Sequence, residues 1–108
     1  MDNNANADDM EDPGLYDVLE QVRDRDSFLI FVRALIADRE NELSKERVTP
    51  SSPWGPGANG WENGSIEGFL SAALAWAEAR VVQTRGDFPE EPSWRAFAEF
   101  LHCGKIYE

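Results

Sequence analysis

The chain has 108 residues, 42% of them hydrophobic and 29% charged, which predicts a single soluble globular domain with one modest core. Four Trp, six Phe and two Tyr supply enough apolar area to exclude disorder throughout. The net charge of −11, from 21 acids against 10 bases, opposes contact with nucleic-acid phosphates or anionic membranes, and either maintains solubility or attracts a basic protein partner.

The chain opens with MDNNANADDMED, five acids and no base, so residues 1–13 are expected to form an acidic disordered tail. The remainder, residues 14–108, is expected to be a single helical domain that keeps an excess of about six negative charges. The first residues lack the basic and apolar pattern of a signal peptide, and no stretch approaches the roughly 20 apolar residues that span a bilayer. Cys103 is the only cysteine, which rules out an intrachain disulfide, and a cytoplasmic location fits these features.

A first helix is predicted from Leu15 to about Val22, with Leu15, Val18, Leu19 and Val22 on one stripe. It is short enough to need tertiary contacts. A second begins at RDRDS, where Asp24 or Asp26 can cap exposed amides. Phe28, Phe31, Val32, Leu35, Ile36 and Leu43 fall in one arc of it, with Leu29 at the border. Its last turns, DRENELSKER, are expected to project into solvent or fray.

Residues 48–64, VTPSSPWGPGANGWENG, form a long Pro/Gly/Trp loop, in which Pro50, Pro53 and Pro56 forbid a regular helix and the glycines mark turns. Trp54 and Trp61 argue that this loop is structured, and Asn63 is expected to fix it by side-chain hydrogen bonds or to help cap the helix that follows. That third helix runs from about Ile66 to Val82, with Ser65 as N-cap and Glu67 complementing the helix dipole. Ile66, Phe69, Leu70, Ala73, Leu74, Trp76, Ala77 and Val81 form its large apolar arc, and Arg80 within it is expected to lay its stem on the core. The opposite face, Gly68, Ala72, Ala75 and Ala79, is small enough to seat another helix or a second subunit of a homodimer. After TRGDFPEEP, with Gly86 as the break, Ser93 caps a fourth helix from Trp94 to about His102. Trp94, Phe97, Ala98 and Leu101 form its stripe, Gly104 is placed as its stop, and Ile106 and Tyr107 are expected to pack on the body. The prediction is an all-α fold, a small four-helix domain with the third helix central.

The residues offer no catalytic set. His102 and Cys103 are the only His and Cys, and as helical neighbours they point about 100° apart, too far for a nucleophile–base contact. One of each falls short of a tetrahedral metal site, and no acidic run has calcium-loop spacing. GPGANG lacks the preceding strand and following helix of a phosphate loop, and no G-x-S-x-G occurs. No enzyme activity, cofactor or metal is expected. Trp76, Trp94, Phe69 and Phe97 read as core, and Trp54 as the tryptophan most open to a binding role. The candidate interaction or ligand residues are Trp54, Trp61, Asn63, Trp94 and Tyr107.

WENGSIEGFLSAALAWAEA followed by PSWRAFAEFLHCGKIYE resembles a domain-of-unknown-function family of small acidic bacterial proteins. That family carries W-x-N-x-[ST]-[IL]-x-x-F-L-x-A-x-x-A-W and then P-[ST]-W-x-x-[FL]-A-x-x-L with a terminal Y-E, and the likeness extends from about Val22 to Glu108. Ala79 and Cys103 stand where the family pattern has an acidic residue and Ala. The resemblance implies a bacterial, cytoplasmic, standalone domain and transfers no catalytic residue. The expected function is a non-enzymatic acidic protein-interaction module, with an immunity-type inhibitor of a basic enzyme as its analogy by class. The alternative is a small-ligand-binding domain with a pocket lined by Trp54, Trp61 and Trp94.

Overall fold

In the computed structural model, residues 14–83 and 90–107 are described. The expected acidic tail (1–13) and the turn around Gly86 lie outside the described residues. The chain is all-α, with four helices among the described residues: α1 (Gly14–Glu20), α2 (Arg25–Val48), α3 (Ile66–Gln83) and α4 (Trp94–Ile106). No helix of the described residues is long and apolar enough to cross a membrane.

Local chemistry fixes where the helices start. Asp24 is the N-cap of α2: its carboxylate accepts from the Ser27 amide at 2.9 Å, while the Asp24 amide donates to Ser27 Oγ at 3.0 Å. This reciprocal pair satisfies two amides that the first helical turn leaves open. Ser65 Oγ accepts from the Gly68 amide at the start of α3, and Ser93 Oγ from the Ala96 amide at the start of α4, each at 3.0 Å.

Helix α4 is the hub, packing against α1, α2 and α3, whereas α3 packs against α4 alone and has no direct packing on α2. The core gathers Leu15, Leu19 and Val22 from α1 and its exit, Phe31 and Leu35 from α2, Trp61 from the connection between α2 and α3, and Ala98 from α4. Arg95 ties α1 to α4 by pairing with Glu20 and Glu99, both at 3.0 Å.

Several expectations are corrected. The charged second half of α2 neither frays nor projects freely, since it stays helical to Val48 and buries Glu42. Ile36 and Leu43, expected in the buried arc, are exposed. Gly104 does not stop α4, which runs on to Ile106. A Cβ on Gly104 would lie 2.8 Å from the Phe69 ring, so its missing side chain serves close approach of α3 to α4. Helix α3 is peripheral rather than central, and its buried face is turned from the expected one. Ala72, Ala73, Trp76 and Ala77 are buried, while Ile66, Leu70, Leu74 and Val81 are exposed. The small stripe is therefore split, with Ala72 buried, Gly68 and Ala79 half-buried and Ala75 exposed. The reason is that one neighbour covers one side of α3, and a helix apolar almost all round leaves large residues on the other. Trp94 and Phe97 are also corrected from core to partly exposed, in a cluster with Phe28 at ring distances of 5.2 Å and 6.3 Å to Phe28.

Replacing Gly104 by Val should overpack the contact with Phe69 and lower stability by about 1–3 kcal/mol, read as a fall in urea midpoint. An unchanged or raised midpoint would show that α3 and α4 do not meet closely there.

Candidate functional site

The site grows from a stripe of carboxylates. Asp38, Glu42 and Glu46 recur every four residues on α2, so they lie above one another on one helix face. That face receives the connection to α3, several of whose amides donate to it. Glu46 accepts from the Ser51 amide at 2.7 Å, the Ser51 hydroxyl at 2.6 Å and the Ala58 amide at 2.8 Å. The Ser51 hydroxyl, followed by its amide, holds the Glu46 carboxyl below its ordinary range. Glu42, only 2% exposed, accepts from the Asn59 amide at 2.8 Å and pairs with Arg39 at 2.7 Å. Asp38 accepts from the Trp61 indole at 2.8 Å and from Lys105 Nζ at 2.7 Å. A buried carboxylate without such donors would be costly, and these are each paired.

Two glycines permit the approach. Any side chain on Gly57 would overlap the Glu42 carboxylate, and Gly60, at φ 87°, occupies the left-handed region that closes the turn back to Gly57.

The far end of the connection grips α4. Asn63 donates its side-chain amide to the carbonyls of Gly104 at 3.0 Å and Tyr107 at 2.9 Å, and the Glu62 amide donates to the Lys105 carbonyl at 2.9 Å. Those carbonyls lie at a helix end where intrahelical donors run out. Asn63 therefore caps the end of α4 rather than the start of α3. Trp61 is planted between, stacked on Phe69 at 6.2 Å, with Arg39 and Lys105 at 5.3 Å and 5.6 Å from its ring.

Beside this cluster an open cleft of about 390 Å³ separates α2 from α3. Leu35 and Ile36 form its α2 wall, Ile66 and Leu70 its α3 wall, and Trp61 and Phe69 its inner surface. Arg39, Glu40 and Asn63 supply polar groups at its margin. The apolar side continues along α3: Ile66 is 79% exposed, and Leu70 and Leu74 are each 52% exposed.

The five candidate residues are not brought to one place. Trp61, Asn63 and Tyr107 share the junction with α4, whereas Trp54 stands 93% exposed in the connection and Trp94 lies with Phe28 and Phe97. Trp61 lines the cleft and the other two tryptophans do not. Sequence reasoning missed Asp38, Arg39, Glu42, Glu46, Asn59 and Lys105. The four-residue acid spacing beside a Pro/Gly-rich segment was their one visible signal.

Burial pushes the Cys103 thiol up to about 11, with Glu99 acting in the same direction, so it stays protonated at neutral pH. Burial, followed by the charge of Lys105, lowers His102 against the opposing pull of Asp38. Its ring lies among Tyr16 and Phe31, at 6.3 Å and 6.5 Å. No three His, Cys, Asp or Glu side chains among the described residues are grouped to hold a metal ion.

A peripheral helix, a carboxylate-anchored connection and an apolar cleft define a small all-α domain. Residues 24–108 match the model of a family of unknown function, DUF7660, and the chain belongs to that family. No curated protein and no solved structure matches the chain.

Replacing Glu42 by Ala would leave the Asn59 amide and Arg39 Nη1 without the acceptor they share. The expected loss is about 3 kcal/mol or more, with Trp61 emission moving to longer wavelength as the connection loosens; retained stability and emission would show that Glu42 does not anchor it. His102 gives a pH dependence of defined sign. Its folded pKa lies below the unfolded value, so its contribution is complete above the unfolded pKa, about 6.5, and is lost as pH falls through the folded one. Urea midpoints should therefore decline below about pH 6.5, and His102→Gln should flatten that decline.

Proposed function

We propose that this protein is a non-enzymatic protein-interaction module that binds a basic partner through the α2–α3 cleft and the exposed side of α3. The observation that carries this reading is the row Ile66, Leu70 and Leu74, large apolar side chains left at half exposure or more beside an apolar cleft. Contiguous exposed apolar surface of this kind marks interaction sites in soluble proteins. The net charge of −11 favours a basic partner through complementarity and faster encounter. The same charge disfavours phosphate backbones and anionic membranes. An immunity-type inhibitor, covering the active site of a basic enzyme, is the form suggested by analogy of class. The protonated Cys103 and the half-buried His102 lend no support to an enzymatic role.

A second reading, small-ligand binding, draws on the cleft volume of about 390 Å³, which lies within the range of ligand pockets. That pocket would be built on Trp61 and Phe69, without Trp54 or Trp94.

The test is a photo-crosslinking amino acid at position 70 in the native host, followed by reconstitution of the captured protein with the purified domain. Binding should be specific and weakened by about tenfold or more in Leu70→Asp, with the helical circular dichroism unchanged. A partner that binds Leu70→Asp as tightly as the parent would sink the assignment of this surface. Metabolite-dependent quenching of Trp61 with no protein captured would transfer the cleft to the ligand reading.

A further inference from the structure

We infer that the occupant of the cleft is a single amphipathic α-helix of a basic partner, laid along α3 with its apolar stripe against Ile66, Leu70 and Leu74. The inference rests on the interaction-module reading and adds the partner's form and chemistry.

The packing provides the place. Among the helices of the described residues only α4 packs on α3, and α2 does not reach it, so α2 and α3 stand as walls with Trp61 and Phe69 between them. A guest helix in that gap would touch both walls. On α3 the exposed residues 66, 70, 74 and 81 lie on one side of the helix over ~22 Å at 1.5 Å per residue, about four helical turns. That length and spacing suit apolar positions recurring at i, i+3/i+4 and i+7 on a guest. An extended peptide fits poorly. No strand edge exists among the described residues to pair with its backbone, and the cleft walls are mostly apolar, whereas a helix satisfies its own amides.

Charge selects among possible guests. Exposed Glu67 and Glu78 border one side of the ridge on α3 and exposed Glu40 lines the cleft on α2, with Arg33 on α2 and half-buried Arg80 on α3 as counter-charges. Arg39 also lines the cleft, but its guanidinium is engaged by Glu42, the Gly64 carbonyl and the Trp61 ring. Lys or Arg beside the guest's apolar stripe would meet these acids. A second copy of a chain carrying −11 would set acid against acid. Residues 1–13 would do the same, since they hold five acids and, as large apolar groups, only Met1 and Met10.

The probe is a synthetic amphipathic peptide of roughly 18 residues, Leu on one helical stripe and Lys elsewhere. It is compared with a scramble of identical composition and with a version carrying Glu for Lys, all titrated into the full chain. The Leu/Lys helix should bind about tenfold tighter than the scramble and tighter still than the acidic version, shifting the amide resonances of Ile66, Leu70 and Leu74. Leu70→Asp and, separately, Leu74→Asp should each remove that preference while keeping the helical spectrum. Equal affinity for helix and scramble, or shifts confined to other surfaces, would overturn the inference. So would self-association that Leu70→Asp abolishes, which would give the cleft to a second copy, or nuclear Overhauser contacts between Met10 and Leu70, which would give it to residues 1–13. A host partner that crosslinks at position 70 through a non-helical segment would leave the interaction reading standing and reject the helix alone.

Discussion

The structure depends on three carboxylates of α2 that accept hydrogen bonds from a chain segment that pairs with itself only at isolated turns. Pro50, Pro53 and Pro56 interrupt any ladder of local amides, so the donors of Ser51, Ala58 and Asn59 need acceptors from elsewhere. Glu46 and Glu42 provide them at fixed heights along the helix, and Asp38 takes the indole of Trp61. The connection is thereby held in register with α2, turn by turn. A buried pair such as Asp38 with Lys105 is weak evidence for stability on its own, because desolvation offsets attraction. Its value here is positional: it meets the indole and the α4 end at one oxygen, Asp38 Oδ2, and so fixes where Trp61 must stand.

From that placement the rest of the surface follows. Trp61 stacks on Phe69, and Phe69 meets Gly104, so the peripheral helix α3 is aligned against α4 through one aromatic pair and one missing side chain. Asn63 and Glu62 close the same joint from the backbone side. Helix α2 is kept away from α3 because the connection, rather than a helix contact, spans the distance. The cleft is the space this leaves. It is a consequence of carboxylate anchoring, and the exposed Ile66, Leu70 and Leu74 are its outer margin.

The parts legible in the sequence were those decided within a few residues. Ser65 and Ser93, and Asp24 as one of two candidates beside Asp26, could be read as caps because an N-cap acts on amides three positions away. The helical class and the four segments followed from periodicity in the same way. What failed was decided at a distance. Glu42 sits in a run of charges that reads as a solvated face, and acid spacing carries little signal in a chain with 21 acids. Gly104 follows an apolar stripe and so reads as a stop, while its actual constraint is a ring from another helix. The buried side of α3 was undetermined by its own residues, because apolar or small side chains surround it almost completely and only the position of α4 chooses among them.

The acidity of the chain accordingly divides into two physical roles. Asp38 and Glu42 are withdrawn from solvent, and Glu46 is spent on the Ser51 and Ala58 donors, so these acids act as fixed acceptors inside the molecule. Arg39 and Lys105 neutralise two of them locally, which removes both partners of each pair from the long-range field. Glu40 lines the cleft on α2, and Glu67 and Glu78 are exposed on α3 beside its apolar ridge. Charge that served solubility alone could be spread anywhere on the surface. Charge placed beside an exposed hydrophobic ridge opposes close approach of a second copy of the same chain and would favour a partner of opposite sign.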